Sequence, residues 1–243
     1  MSNSLFGISL LDIRLWFHVV AFVHLLVTAL VTLSIDPTVD EDPQIRVYIT
    51  TRWKLLTCWF NLITMAYLPL CIYCETKEKM GFGDSNNVQR VRRATDVLMT
   101  SVIFPITMSA DIVFWVLMIT NVGLMAPPKL FDYMPYWCQH SLHTVSMAVV
   151  LLDLLLTPRA RPRNMIPSFL IAIGFVTSYV LTIYVSYLRG EIVYYFIDIF
   201  SVPQTVMFII FSYILFITFY VIQWKIINFV WSDKISSVFK KKD

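Results

Sequence analysis

The chain has 243 residues, of which 58% are hydrophobic and 14% charged, against about a quarter charged in an ordinary soluble domain. That balance, with a mean hydropathy of +0.69, excludes a soluble globular enzyme and predicts a polytopic membrane protein. The six glycines form neither G-x-G-x-x-G nor G-x-x-x-x-G-K-[ST], so a dinucleotide fold and a phosphate loop are excluded. The net charge of +3 resides in short loops and at the tail, where it meets lipid headgroups rather than nucleic acid.

Six apolar segments follow in chain order at about 15–35, 55–74, 97–119, 140–156, 167–187 and 204–224. At about 1.5 Å per residue each approaches or exceeds the roughly 30 Å of hydrocarbon. Backbone polar groups in lipid must be satisfied within the segment, so each is predicted to be a helix. The expected fold is an all-α bundle of six transmembrane helices forming one domain over residues 1–243. The first run is too long for a signal-peptide core and no small-residue cleavage site follows it, so it is expected to remain.

With six helices both termini share a side. That side would carry fourteen basic residues: Arg14, five between Lys77 and Arg93, Arg159, Arg161 and Arg163, and five from Lys225 to Lys242. The other would carry Arg46, Arg52, Lys54, Lys129 and Arg189. The positive-inside rule therefore predicts cytosolic termini. Asp36, Asp40, Glu41 and Asp42 then face outward, and their spacing lacks a calcium-loop pattern, so a solvated loop is expected. Residues 75–96 read as the most mobile connection, because they contain the Gly/Asn/Ser-rich stretch 81–87. Pro105 is expected to kink the third helix.

Polar groups in hydrocarbon are site candidates because they are expensive there. Thr57 lies a few residues into the second helix, and Asn61 lies one turn deeper and about 40° round. His140 and His143 open the fourth helix, and Asp111 occupies the outward half of the third. A hydroxyl, an imidazole and a carboxylate thus share one leaflet, and these are the groups from which a nucleophile, its base and the base's orienter are built. The competing reading of Thr57 is a bond back to its own helix; for the histidines it is interfacial anchoring. Asp153, close to the cytosolic end, can reach headgroups or Arg159 and is expected to have a structural role. His18, near the same end, points about 240° away from His24, so these two form no joint site. Two bis-histidine haems would consume all four histidines, with His140 and His143 at one depth, so haem is not expected. No cofactor or metal is expected. Cys58 and Cys138 lie at one face, where a disulfide is conceivable, and Cys74 is a candidate for palmitoylation.

The strings Trp53-Lys54-Leu55-Leu56-Thr57 and Pro135-Tyr136-Trp137-Cys138-Gln139-His140-Ser141-Leu142-His143-Thr144, together with Pro128-Lys129-Leu130, Phe104-Pro105 and Phe114-Trp115, resemble the androgen-induced protein family. The resemblance extends over nearly the whole chain in length and span pattern. It implies a membrane hydrolase of fatty acid esters of hydroxy fatty acids, with Thr57 as nucleophile and His143 as its histidine partner. The expected partners are a lipid ester substrate and membrane lipid. Asp111 stands where the family has an apolar residue, and its depth makes it a candidate orienter of His143. Asn61 is the candidate oxyanion donor, with His140 in a supporting place. The competing class is a small transporter or lipid-binding scaffold that uses Asp111 as a coupling carboxylate. The tail, Lys240-Lys241-Lys242-Asp243, resembles a dilysine retrieval signal and implies residence in the endoplasmic reticulum.

Overall fold

The computed structural model describes residues 9–239, with side chains through residue 231; the tail lysines Lys240, Lys241 and Lys242 lie outside the described residues. All regular elements among the described residues are helical, and six helices are long and apolar enough to cross a membrane. Helix α1 is Leu10–Ser34 and α2 is Leu56–Lys79. Helix α3 runs through Asn86–Leu98, a π turn at Met99–Ile103, and Phe104–Asn121. Helix α4 likewise joins Tyr136–His140 to Ser146–Leu156 through a π turn at Ser141–Val145. Helices α5 and α6 are Ile166–Leu188 and Val202–Phe239.

The six expected spans are all present, but several helices outrun them. Hydropathy marks only the lipid-immersed part of a helix, and the backbone ladder continues wherever charged side chains keep an amphipathic face. The segment expected as a mobile connection is therefore mostly helix, and the turn shrinks to residues 80–85. Gly81 makes that turn with φ +84°, a left-handed value that glycine adopts without a Cβ penalty. The Gly81 N–H donates to Glu78 O at 3.0 Å and the Phe82 N–H to Lys77 O at 2.8 Å, the paired bonds of a Schellman end. At Pro105 the expected irregularity is a π turn directly before the proline, closed by the Phe104 N–H on Met99 O. The wider turn absorbs the donor that proline lacks.

Two apolar clusters hold the bundle. Tyr67, Leu68, Ile103, Leu154 and Ile227 pack α2, α3, α4 and α6 together. Phe60, Ile106, Val176 and Phe216 bring α5 against α2, α3 and α6. Val20, Leu30, Ile119, Leu170 and Phe211 point outward and are exposed, as suits a surface solvated by acyl chains rather than water.

At the end rich in arginines the bundle is fastened by a buried ionic network. Asp153 accepts from Tyr67 Oη at 2.7 Å, from Arg159 Nη2 at 3.0 Å and from Thr157 Oγ1 at 2.7 Å, and it meets His18 Nε2 at 3.0 Å. His18 Nδ1 meets Glu75 at 2.9 Å, Arg14 reaches Glu75 and Glu78, and Arg159 Nε donates to Asp96 at 3.1 Å. Of the two partners open to Asp153, headgroups or Arg159, the structure has Arg159; the enclosure of His18, at 0% exposure, is not foreshadowed in the sequence. Removing one partner of such a network strands the others without water. Asp153→Ala is expected to lower stability by about 3–5 kcal/mol, measured as the unfolding midpoint in detergent. An unchanged midpoint would contradict the role given to this network.

The four cysteines are unbonded, so Cys58 and Cys138 are not joined. Cys74 is buried, with Sγ 3.8 Å from Val88 O. The helical extension of α3 covers it, which removes it as an acceptor for a lipid chain.

Candidate functional site

At the end opposite the ionic network, the helices enclose a cavity of about 950 Å³, near the upper end of the size range of small-molecule pockets. Its lining is mainly apolar in area, and the polar side chains on it include Thr57 from α2 and Gln139 and His143 from α4. Val180 and Tyr184 of α5 and Val206 and Ile209 of α6 also line it, so the space extends between two lipid-facing helices. Connecting segments roof it, with Tyr48 from the first, Phe131 from the third and Tyr194 from the fifth.

The roof is clasped by Asp40. Its carboxylate pairs with Lys129 Nζ at 2.8 Å and accepts from Tyr133 Oη at 2.6 Å. These bonds, the lysine's foremost, hold Asp40 well below the usual carboxylate range. A depressed folded value means that the clasp acts fully above the unfolded carboxylate pKa and is lost only as pH falls through the lower folded one. The acidic stretch expected as a solvated loop thus contains one buried, committed residue, whose partners are some ninety positions away and leave no local signature.

The Trp53–Thr57 string folds as a tight entry into α2. The Trp59 indole N–H donates to Trp53 O at 3.0 Å, and Tyr179 Oη donates to Lys54 O at 3.1 Å. The Leu56 N–H donates to Tyr194 Oη at 3.0 Å, and the two tyrosine hydroxyls are 2.8 Å apart. Lys54 also pairs with Glu191, which ties the fifth connection to the same corner. Thr57 is therefore the second residue of α2, and the Leu55 cap supplies no side-chain bond. Thr28, Thr64 and Thr100 each donate to the carbonyl four residues back, the usual state of a membrane-helix threonine. Thr57 does not do so: its Oγ1 forms no hydrogen bond among the described residues, and the carbonyl four back is the one taken by Trp59.

His143 sits inside the π turn of α4, buried, with its ring stacked on Phe114 at a centroid distance of 3.4 Å and an interplanar angle of 6°. Its Nδ1 is 2.8 Å from Asp111 Oδ1, and the Ser146 hydroxyl lies 2.6 Å from Asp111 Oδ2. A carboxylate accepting from Nδ1 leaves Nε2 as the proton acceptor. Nε2 has no partner among the described residues. Thr57 and His143 line the same cavity without a direct hydrogen bond between them, a looseness common before substrate binds.

The structure separates the other candidates. Asn61 Nδ2 donates to Thr57 O at 2.9 Å, and the side chain lines a small chamber of about 20 Å³ with His24 and Thr107 instead of the main cavity. The backbone carbonyl one turn back captures the amide, so Asn61 is not placed as an oxyanion donor. His140 Nδ1 is 3.1 Å from Thr144 Oγ1, and its ring is packed by Trp115 and Tyr136 outside the cavity lining. Ser146 was not singled out from the sequence, although its place three residues after His143 puts it on a neighbouring face of α4.

A six-helix membrane bundle around a mainly apolar cavity, open between two helices, that presents an unbonded threonine hydroxyl and a histidine paired with an aspartate defines the class of this protein. The sequence pattern of the family described as FAR-17a/AIG1-like protein matches residues 13–228, and the chain belongs to that family. Human androgen-dependent TFPI-regulating protein is 26% identical over 75% of this chain and 78% of its own length. The mouse protein of that name is 30% identical over 74% and 77%. Human androgen-induced gene 1 protein is 22% identical over 75% and 79%. No solved structure matches the chain.

Proposed function

We propose that this protein is a membrane-embedded esterase that hydrolyses fatty acid esters of hydroxy fatty acids, with Thr57 as nucleophile, His143 as general base and Asp111 as the residue orienting His143. The observation that carries this reading is that one apolar cavity receives both an unbonded Thr57 hydroxyl and a His143 ring whose far nitrogen is held by Asp111. Thr57 Oγ1 attacks the ester carbonyl carbon as its proton passes to His143 Nε2. The tetrahedral adduct then breaks its bond to the alkoxy oxygen, which leaves with the proton from Nε2 as the hydroxy fatty acid. His143 next deprotonates a water that attacks the acyl-Thr57 ester, and its proton returns to Thr57 as the fatty acid departs. The apolar walls favour this chemistry, because charge–dipole interactions in a water-poor site are stronger than in bulk. Space between α5 and α6 suits a two-chain lipid that arrives from the leaflet.

The test is reconstitution in liposomes with a defined ester of this class. Stoichiometric release of both acids is the expected result. Flux of a solute with no ester cleavage would instead favour a transporter, a reading made less attractive by the engagement of both Asp111 oxygens within the bundle.

We place both ends of the described bundle in the cytosol, on the fourteen-to-five division of basic residues. Tags at the two ends are expected to be reached by protease from the cytosolic side of sealed vesicles, and tags on opposite sides would contradict this orientation.

A further inference from the structure

An ester hydrolase must also hold the negative charge that develops on the carbonyl oxygen, and Asn61, the candidate from sequence, is turned away from the cavity. Two side-chain amides line the cavity, Gln44 from the first connection and Gln139 from α4, and Gln139 is the one on the helix that carries His143. It is 5% exposed and lies four residues before His143 on α4, and both line the same space. Among the described residues its only side-chain partner is the thioether of Met134, with Nε2 2.9 Å from Sδ. Sulfur of this kind is a weak acceptor, and a side-chain amide carries two N–H donors, so one N–H is held weakly and the other is uncommitted among the described residues. A buried amide left this poorly satisfied carries a cost that a stronger acceptor would relieve.

Several hydroxyls on the wall are already engaged. Tyr179 and Tyr194 serve the start of α2, Tyr213 pairs with Thr177 at 3.0 Å, and Ser109 and Ser212 donate to carbonyls of their own helices. A second free donor lies beside the nucleophile. Thr57 occupies the first turn of α2, the cap provides no side-chain bond, and the Thr57 N–H has no partner among the described residues. First-turn N–H groups carry the positive end of the helix dipole.

We propose that the Gln139 side-chain amide and the Thr57 backbone N–H together bind the carbonyl oxygen of the substrate ester as it becomes an oxyanion, so that Gln139 is a third catalytic residue. This rests on Thr57 being the nucleophile. Attack by Oγ1 moves the carbonyl π pair onto the oxygen, and the two N–H groups stabilise that charge until the pair returns and expels the alkoxy group. Neither donor loses its proton. In the resting enzyme, Met134 Sδ keeps the amide in place and yields it to the better acceptor.

The experiment compares an ester substrate with its thionoester, in which sulfur replaces the carbonyl oxygen and accepts hydrogen bonds poorly. Wild-type protein, Gln139→Leu, Gln139→Glu and Thr57→Ala are assayed in the same liposomes, with the unfolding midpoint recorded for each. The proposal expects Gln139→Leu to lose about 10²–10³ in kcat/KM on the ester. It also expects a much smaller loss on the thionoester, so that the wild-type preference for oxygen collapses. A packing defect alone would lower both rates together and keep the preference. Gln139→Glu retains the side-chain shape, replaces the donor with a carboxylate and is expected to show the same collapse, which covers the case of a poorly folded leucine variant. Gln139 variants that fold and keep the wild-type rate or the wild-type oxygen preference would overturn the role of Gln139 while Thr57→Ala remained inactive. An active Thr57→Ala would overturn Thr57 as the nucleophile, and wild-type protein that cleaves no ester would overturn the esterase reading itself.

Discussion

Replacing Thr57 by alanine, or His143 by alanine, is expected to reduce ester hydrolysis by about 10⁶-fold, the order of loss seen when one member of a covalent apparatus is removed. The Thr57 variant should remain folded and inserted, because Thr57 Oγ1 makes no hydrogen bond among the described residues. Thr57→Ala removes no strut of the bundle, whereas His143→Ala gives up the Asp111 bond and the Phe114 stack, so its unfolding midpoint is recorded beside its activity. Groups that act in one sequence of bond changes are not additive: without the hydroxyl, the base has no proton to take. The double variant should therefore be scarcely slower than either single one. His140→Ala supplies the contrast within the same helix. Its ring lies outside the cavity between Trp115 and Tyr136, so a small loss is expected, measured in the same assay. A dead His140 variant beside an active His143 variant would reverse the assignment.

Asp111→Asn should lower kcat by about 10⁴-fold with little change in KM, the scale set by replacing an orienting carboxylate with an amide. The reason is directional. Asp111 Oδ1 meets Nδ1 at 2.8 Å, and as a carboxylate it can only accept there, which fixes the proton on Nδ1 and the lone pair on Nε2. An amide can turn its NH₂ toward Nδ1 and move the ring proton to Nε2, where it blocks the transfer from Thr57. The near-identical shape of asparagine keeps the contact with Ser146, so the unfolding midpoint should move far less than it does for Asp153→Ala. An Asp111→Asn enzyme with wild-type turnover would mean that the carboxylate supports structure alone.

The membrane architecture was legible because lipid leaves the chain few choices: repeated apolar runs of sufficient length must be helices. Helix ends were less legible. Glu75 to Lys79 and Asn86 to Asp96 are polar, yet they continue α2 and α3 because Arg14, Arg92 and Arg159 from other positions neutralise their carboxylates. Such pairs are 14 to 63 residues apart, and the longer ones leave no mark on local sequence. The burial of His18 between Glu75 and Asp153 was hidden in the same way, whereas Asp153 with Arg159, only six apart, was readable.

At the candidate site, depth along the helices brought Asp111 and His143 to one level, and the structure joins them. Depth could not show side-chain direction. Asn61 shares a face with Thr57, but its amide bonds to Thr57's own carbonyl, a local capture that competes with any ligand. Gln139, one turn before His143, carried an equally available signal in its spacing; what the sequence withheld was the weak sulfur partner that leaves its donors available. Asp40 was read as solvated because its cation, Lys129, comes from a different connection.

The claim that Thr57 is an activated nucleophile is tested most directly by covalent capture. The purified protein in liposomes is treated with a fluorophosphonate, and the modified peptide is located by mass spectrometry. The account predicts one adduct on Thr57, absent from Thr57→Ala and strongly slowed in His143→Ala. An adduct on another residue, or undiminished ester hydrolysis after complete labelling elsewhere, would contradict it.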